Sequence, residues 1–136
     1  MNRRIILLAD DDADDRELFC EALSEIDERI ACNCSANGRE LLRKLKGLRE
    51  VPELIFLDLN MPVVNGVECL KQLKTDPLYH QIPVIIISTS SHRQEMELVK
   101  SLGASGYFIK PTDYKELKKS LQAIVMNPEK QKVYDF

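Results

Sequence analysis

Five aspartates fall within six positions, Asp10, Asp11, Asp12, Asp14 and Asp15, directly behind the apolar residues IILLA. Carboxylates this close repel one another, and burying one without a partner is expensive. Three more apolar runs also end on a polar residue: Asp58 follows LIFL, Ser88 follows VIII and Lys110 follows YFI. Brought together, these groups have a definite chemistry. Asp10, Asp11 and Asp58 in one crevice need a cation, and oxygen-only ligands select a hard ion, Mg²⁺ or Mn²⁺. Lys110 would add a second positive charge and Ser88 a hydroxyl donor, which completes a cradle for a phosphoryl group. A carboxylate can itself accept that group as an aspartyl phosphate, and being ionised at neutral pH it needs no general base. The two histidines, His80 and His92, fall in loop or helix-start contexts and are not required.

Such a site needs elements that carry residues tens of positions apart to one rim. The runs at 5–9, 54–57, 84–87 and 107–109 are short and nearly all apolar, as in strands buried on both faces of a parallel sheet. Ile30, Cys32 and Cys34 alternate with Ala31, Asn33 and Ser35, which predicts a half-exposed edge strand. Between the runs lie five helical stripes: Leu18, Phe19, Ala22, Leu23 and Ile26; Leu41, Leu42, Leu45 and Leu48; Val67, Leu70 and Leu73; Met96, Val99 and Leu102; and Leu117, Leu121, Ile124 and Val125. Asn37 is placed to cap the second helix, one of Ser88, Thr89, Ser90 and Ser91 the fourth, while Gly103 ends the fourth and Pro128 the fifth. Asn65-Gly66 precedes a helical pattern, so it does not read as a hairpin turn. Strand and helix therefore alternate five times in an α/β doubly wound parallel sheet. Its ligands bind at the carboxyl edge of the strands, where Asp10, Asp11, Asp58, Ser88 and Lys110 fall.

Composition sets the class. A chain of 136 residues with 30% charged residues and a net charge of −3 reads as one domain with its own core, and lacks the basic excess of nucleic-acid or membrane-surface binders. The start MNRRIILLAD runs straight into the aspartates after too short an apolar stretch for an export signal, and no run would span a bilayer. The expected location is cytoplasmic. Cys20, Cys32, Cys34 and Cys69 form no CxxC pair, and Cys32 and Cys34 read as small buried hydrophobes on one strand face rather than as a metal pair.

The segments ILLADDD, LIFLDLNMPVVNG, PVIIISTSS and GYFIKP, in this order and spacing, resemble the receiver domain of bacterial two-component response regulators over about residues 4–126. The resemblance implies a flavodoxin-like sheet in the order 2-1-3-4-5 with five helices, a receiver domain over 1–127 and a tail at 128–136 without an effector domain. It implies Asp58 as phosphoacceptor, Asp11 as direct metal ligand, Asp10 as a ligand through water and Asn60 as donor of a backbone carbonyl. It also implies Ser88 as hydroxyl switch, Lys110 as the phosphate-binding lysine, Tyr107 as the aromatic that reorients, and a cis bond before Pro111. Serine at 88 keeps the hydroxyl of the commoner threonine. The expected function is phosphorelay signalling: a histidine kinase or phosphotransfer protein phosphorylates Asp58, and a protein target reads the changed surface. The chain would act on no external substrate, as a monomer or weak dimer. LKTDPLYHQIPVIIISTSS further resembles receivers that partner phytochrome-like kinases.

Asp12, Asp14 and Asp15 then read as acidic caps of the first helix. Two other readings fit less well. Asp10, Asp12, Asp14 and Glu21 match positions 1, 3, 5 and 12 of a calcium loop, but Asp15 stands where its turn needs glycine. A haloacid-dehalogenase-type phosphatase needs an acid two residues beyond its nucleophile, where this chain has Asn60 after Asp58; Asp10 and Asp12 have the right interval, but the chain is short for that family and offers no obvious cap domain.

Overall fold

The computed structural model describes residues 3–126. The elements run β1 (Arg4–Ala9), α1 (Ala13–Ile26), β2 (Ile30–Ser35), α2 (Gly38–Lys46), β3 (Leu54–Asp58), α3 (Gly66–Thr75), β4 (Val84–Ser88), α4 (Arg93–Ser101), β5 (Gly106–Ile109) and α5 (Tyr114–Val125). All strand pairs are parallel and the order is β2-β1-β3-β4-β5. Alternation within each strand explains both faces. Leu7, Ala9, Ile55, Leu57, Val84, Ile86 and Tyr107 pack under α2, α3 and α4. Their neighbours Ile6, Leu8, Leu54, Phe56, Ile85, Ile87 and Phe108 pack under α1 and α5. The second face is filled around Phe19 of α1, whose ring meets Phe56 edge-on at 4.9 Å.

The apolar runs extend further than their hydrophobic residues. Asp58 pairs with Ile87 and Ser88 with Ile109, so both polar side chains sit on the last rung of the sheet itself. Helix starts are fixed locally: Asp12 accepts from the amides of Asp14 and Asp15, Asn37 from Glu40 and Asn65 from Glu68. Gly103, at φ 102°, follows the end of α4 as expected. Gly66 is needed for a different reason. A Cβ there would lie 2.5 Å from the Asp58 carbonyl oxygen, so only glycine lets α3 begin against the end of β3.

Two expectations change. The cap of α4 is His92 without a side-chain hydrogen bond, while the Ser90 hydroxyl is engaged elsewhere: Ser90 Oγ donates to Glu95 and accepts from the His92 amide. Cys32 and Cys34 are half-buried rather than buried, since β2 is an edge strand, covered on this face by α1. Pro128 and the tail at 128–136 lie outside the described residues.

Candidate functional site

The ends of β1, β3 and β5 meet at one acidic rim. Lys110, the residue after β5, reaches across it: Nζ lies 2.9 Å from Asp10 Oδ2, 3.1 Å from Asp58 Oδ2 and 3.1 Å from Asp15 Oδ2. Asp10 is fully buried and Asp58 nearly so, whereas Asp11 is exposed. Oxygens of Asp10, Asp11 and Asp58 all lie within 4.8 Å of one another. Four carboxylates thus crowd one ammonium. Burial pushes the Asp10 carboxyl above its usual range, against the pull of the Asp12 amide and of Lys110. Burial likewise opposes the charge on Lys110, but Asp10 and Asp58 outweigh it and hold the ammonium above the ordinary lysine range.

The rim fits a hard cation on a structural ground. Asp10 Oδ2 is buried and makes an ion pair with Lys110 but no hydrogen bond of regular geometry. A buried carboxylate oxygen with no directed donor, beside two more carboxylates, is the donor set that Mg²⁺ or Mn²⁺ takes. Its other oxygen, Oδ1, is held by the Asp12 amide, and Arg16 donates from Nη1 to the Asp10 carbonyl at 2.7 Å. Asp58 is fixed on both sides, Oδ1 accepting from the Asn60 amide at 3.2 Å and Oδ2 from Lys110. The loop that carries Asn60 also holds Val63 at φ 67°, a left-handed conformation costing a branched residue about 1–3 kcal/mol.

Ser88 is buried one residue beyond the Asp58 rung and makes no bond to Asp58 in this state. Its Oγ accepts from the Ser90 amide at 3.0 Å, and the Ser90 carbonyl accepts from Tyr107 Oη at 2.9 Å. A single residue, Ser90, therefore links the hydroxyl to the aromatic ring. Neither Ser90 nor the Asp15–Lys110 pair is foreseen above. The sequence places Asp15 in the first turn of α1, directly after the end of β1, but does not set which way its side chain points. The cis bond expected before Pro111 is absent, since every described peptide bond is trans. Trans is the intrinsically favoured form even before proline, and in it the Lys110 amide bonds Ser88 O at 2.8 Å while the side chain reaches the rim. A calcium loop is ruled out by β1, which stands where that motif needs a helix.

Comparison with known proteins agrees with this geometry. Residues 6–122 match the model of the response regulator receiver domain. The chain is 35% identical over 121 residues to the protein-glutamate methylesterase/protein-glutamine glutaminase of Clostridium acetobutylicum, covering 88% of this chain but 34% of that protein. It thus spans about a third of that relative's length. Among solved structures, the phosphorylated cyanobacterial phytochrome response regulator RcpA is 28% identical with a TM-score of 0.85, covering 92% of this chain and 93% of its own. The Mn(2+)-bound form of response regulator Rcp1 is 30% identical with a TM-score of 0.77, covering 89% and 91%.

If Lys110 is what makes the rim tolerable, its removal should be felt in stability. In metal-free buffer Lys110→Met is expected to lower the unfolding free energy by about 2–3 kcal/mol, because it strands buried carboxylates. Asp15→Asn, which removes a partly exposed partner, is expected to cost about 1 kcal/mol or less. Denaturant unfolding of the two variants checks this, and an equal loss would show that burial of the rim charges is not what matters.

Proposed function

The chain belongs to the response regulator receiver domain family, and from that premise we propose that it takes a phosphoryl group onto Asp58 and passes the signal on through protein contacts. The observation that carries the reading is Asp58 itself: a nearly buried carboxylate, on the last rung of β3, facing both the Lys110 ammonium and the metal-competent pair Asp10 and Asp11. The donor would be a phosphohistidine of a sensor histidine kinase or phosphotransfer protein. An Asp58 oxygen attacks phosphorus, the phosphorus–nitrogen bond breaks, and the released imidazole takes its proton from solvent. Lys110, charged across the physiological range, is within reach of the oxygens of the incoming group. Mg²⁺ or Mn²⁺, when bound, neutralises the clustered negative charge; Asp10, Asp11 and Asp58 would hold it, with the Asn60 carbonyl.

Signal exit is proposed to run through Ser88. Its proton is free to turn toward a phosphoryl oxygen, while its lone pairs now hold the Ser90 amide. Movement of Ser88 therefore bears on Ser90, and through the Ser90 carbonyl on Tyr107, which leaves its bonded position. Such a switch shifts a pre-existing equilibrium and needs only a few kcal/mol of preference. The surface it alters is that of α4, β5 and α5, read by a protein target.

The receiver domain would occupy 1–127, with 128–136 as a tail, acting in the cytoplasm as a monomer or weak dimer. It would catalyse its own phosphorylation and dephosphorylation and turn over no other substrate, since Asn60 offers no acid where a phosphatase of the dehalogenase type needs one. Likeness to a phytochrome response regulator over more than nine-tenths of both chains supports a phytochrome-like kinase as the donor.

Mg²⁺ alone should raise the unfolding temperature, and Asp11→Asn should lose most of that gain while leaving the fold intact. With Mg²⁺ and acetyl phosphate the chain should gain one acid-stable, base-labile phosphoryl group, and Asp58→Asn should gain none. Ser88→Ala should still be phosphorylated, yet show much smaller amide shifts around Tyr107. Labelling at a serine or at Asp10 would refute the acceptor, and undiminished shifts in Ser88→Ala would refute the route of exit.

A further inference from the structure

A second group of metal-ligating side chains lies outside the acidic rim. Cys32 and Cys34 are two apart on β2, so both side chains leave the same face of the sheet, and α1 lays Cys20 against them. The Sγ atoms of Cys20 and Cys32 are 2.7 Å apart, those of Cys32 and Cys34 are 3.7 Å apart, and all three lie within 4.8 Å of one another. Cys69 is on the opposite face of the sheet and takes no part. We propose that Cys20, Cys32 and Cys34 form a three-thiolate site for Zn²⁺, separate from the acidic rim, that rivets α1 to the edge strand.

The dimensions support it. Zinc–sulfur bonds of about 2.3 Å place tetrahedral sulfurs about 3.8 Å apart. The Cys32–Cys34 pair already has that separation, and Cys20 has to draw back by about 1 Å to match it. A disulfide joins only two sulfurs, at about 2.05 Å, and leaves the convergence of the third without a reason. Each cysteine is half-buried, so a fourth position opens to water. Three thiolates around Zn²⁺ carry one excess negative charge, and positive charge stands beside Cys34: Arg16 is near its sulfur, and Lys44 Nζ bonds its carbonyl. Binding displaces the thiol protons to solvent and involves no redox step. The gain is mechanical. Among the described residues β2 pairs with β1 alone, and the residue after Cys34 is Ser35, whose carbonyl accepts from the Asp10 amide at 3.0 Å. A metal here ties together two elements, α1 and β2, that border the acidic rim.

The test uses the full chain, reduced and kept from oxygen, with excess Mg²⁺ to occupy the acidic rim. It is titrated with Co²⁺ as a coloured stand-in for Zn²⁺. One Co²⁺ per chain is expected, with a near-ultraviolet sulfur-to-cobalt charge-transfer band that one equivalent of Zn²⁺ abolishes. Cys34→Ser and Cys20→Ser should each lose the band, and Cys69→Ser should keep it. If a variant fails to fold, protection of three of the four wild-type thiols from alkylation by Zn²⁺ replaces it. The proposal is overturned if the reduced wild type shows no band, if the band survives in Cys20→Ser and Cys34→Ser alike, or if Zn²⁺ protects none of the three thiols.

Discussion

One ammonium stands against a crowd of carboxylates, and the upper edge of the molecule is arranged around that imbalance. Lys110 touches Asp10, Asp15 and Asp58, with Asp11 close by, and one of the buried oxygens still lacks a directed donor. A charge set of this kind stores unfavourable energy that a divalent cation or a phosphoryl group can change. Its stability and its capacity to respond have the same source. An apolar rim would be more stable and would respond to nothing.

The rest of the fold exists to hold those groups where repulsion would drive them apart. Strands buried on both faces cannot slide or tilt without opening the core, so the residues on their last rungs are fixed as firmly as the core itself. Gly66 lets α3 close against the Asp58 backbone, and Asp12 caps α1 so that Asp15 hangs over Lys110. Arg16 clamps the Asp10 carbonyl from the same helix. Where the structure is half-exposed instead, at β2, the sulfur cluster sits. A parallel sheet is weakest at its edge strand, and this is the place where an added bond between helix and strand has most to contribute.

Much of this was legible in the sequence because it depends on periodicity and on which residue ends a run. Four apolar runs, each closed by a polar residue, and one edge-strand pattern are enough to bring Asp10, Asp11, Asp58, Ser88 and Lys110 to one rim. What stayed hidden depends on side-chain reach across elements. Asp15 looked like a cap and is also a partner of Lys110, because helix phase decides which oxygen points inward. Ser90 was one of four candidate helix caps and instead joins Ser88 to Tyr107, since its amide and its carbonyl face different neighbours. The sulfur cluster was invisible because Cys20 and Cys32 are brought together only when α1 packs on β2. The bond before Pro111 was expected cis by resemblance and is trans, a choice that residue identity alone does not determine.

Lys110 and the buried carboxylates form one coupled electrostatic unit. A double-mutant cycle of Lys110→Met and Asp58→Asn, read by denaturant unfolding in metal-free buffer, measures that coupling directly. Removing the Asp58 charge should make loss of the lysine cheaper, so the double variant should be more stable than the sum of the single losses by about 1 kcal/mol or more. Additive losses, within the error of the measurement, would contradict the account and make the lysine and the aspartate neighbours without a shared role.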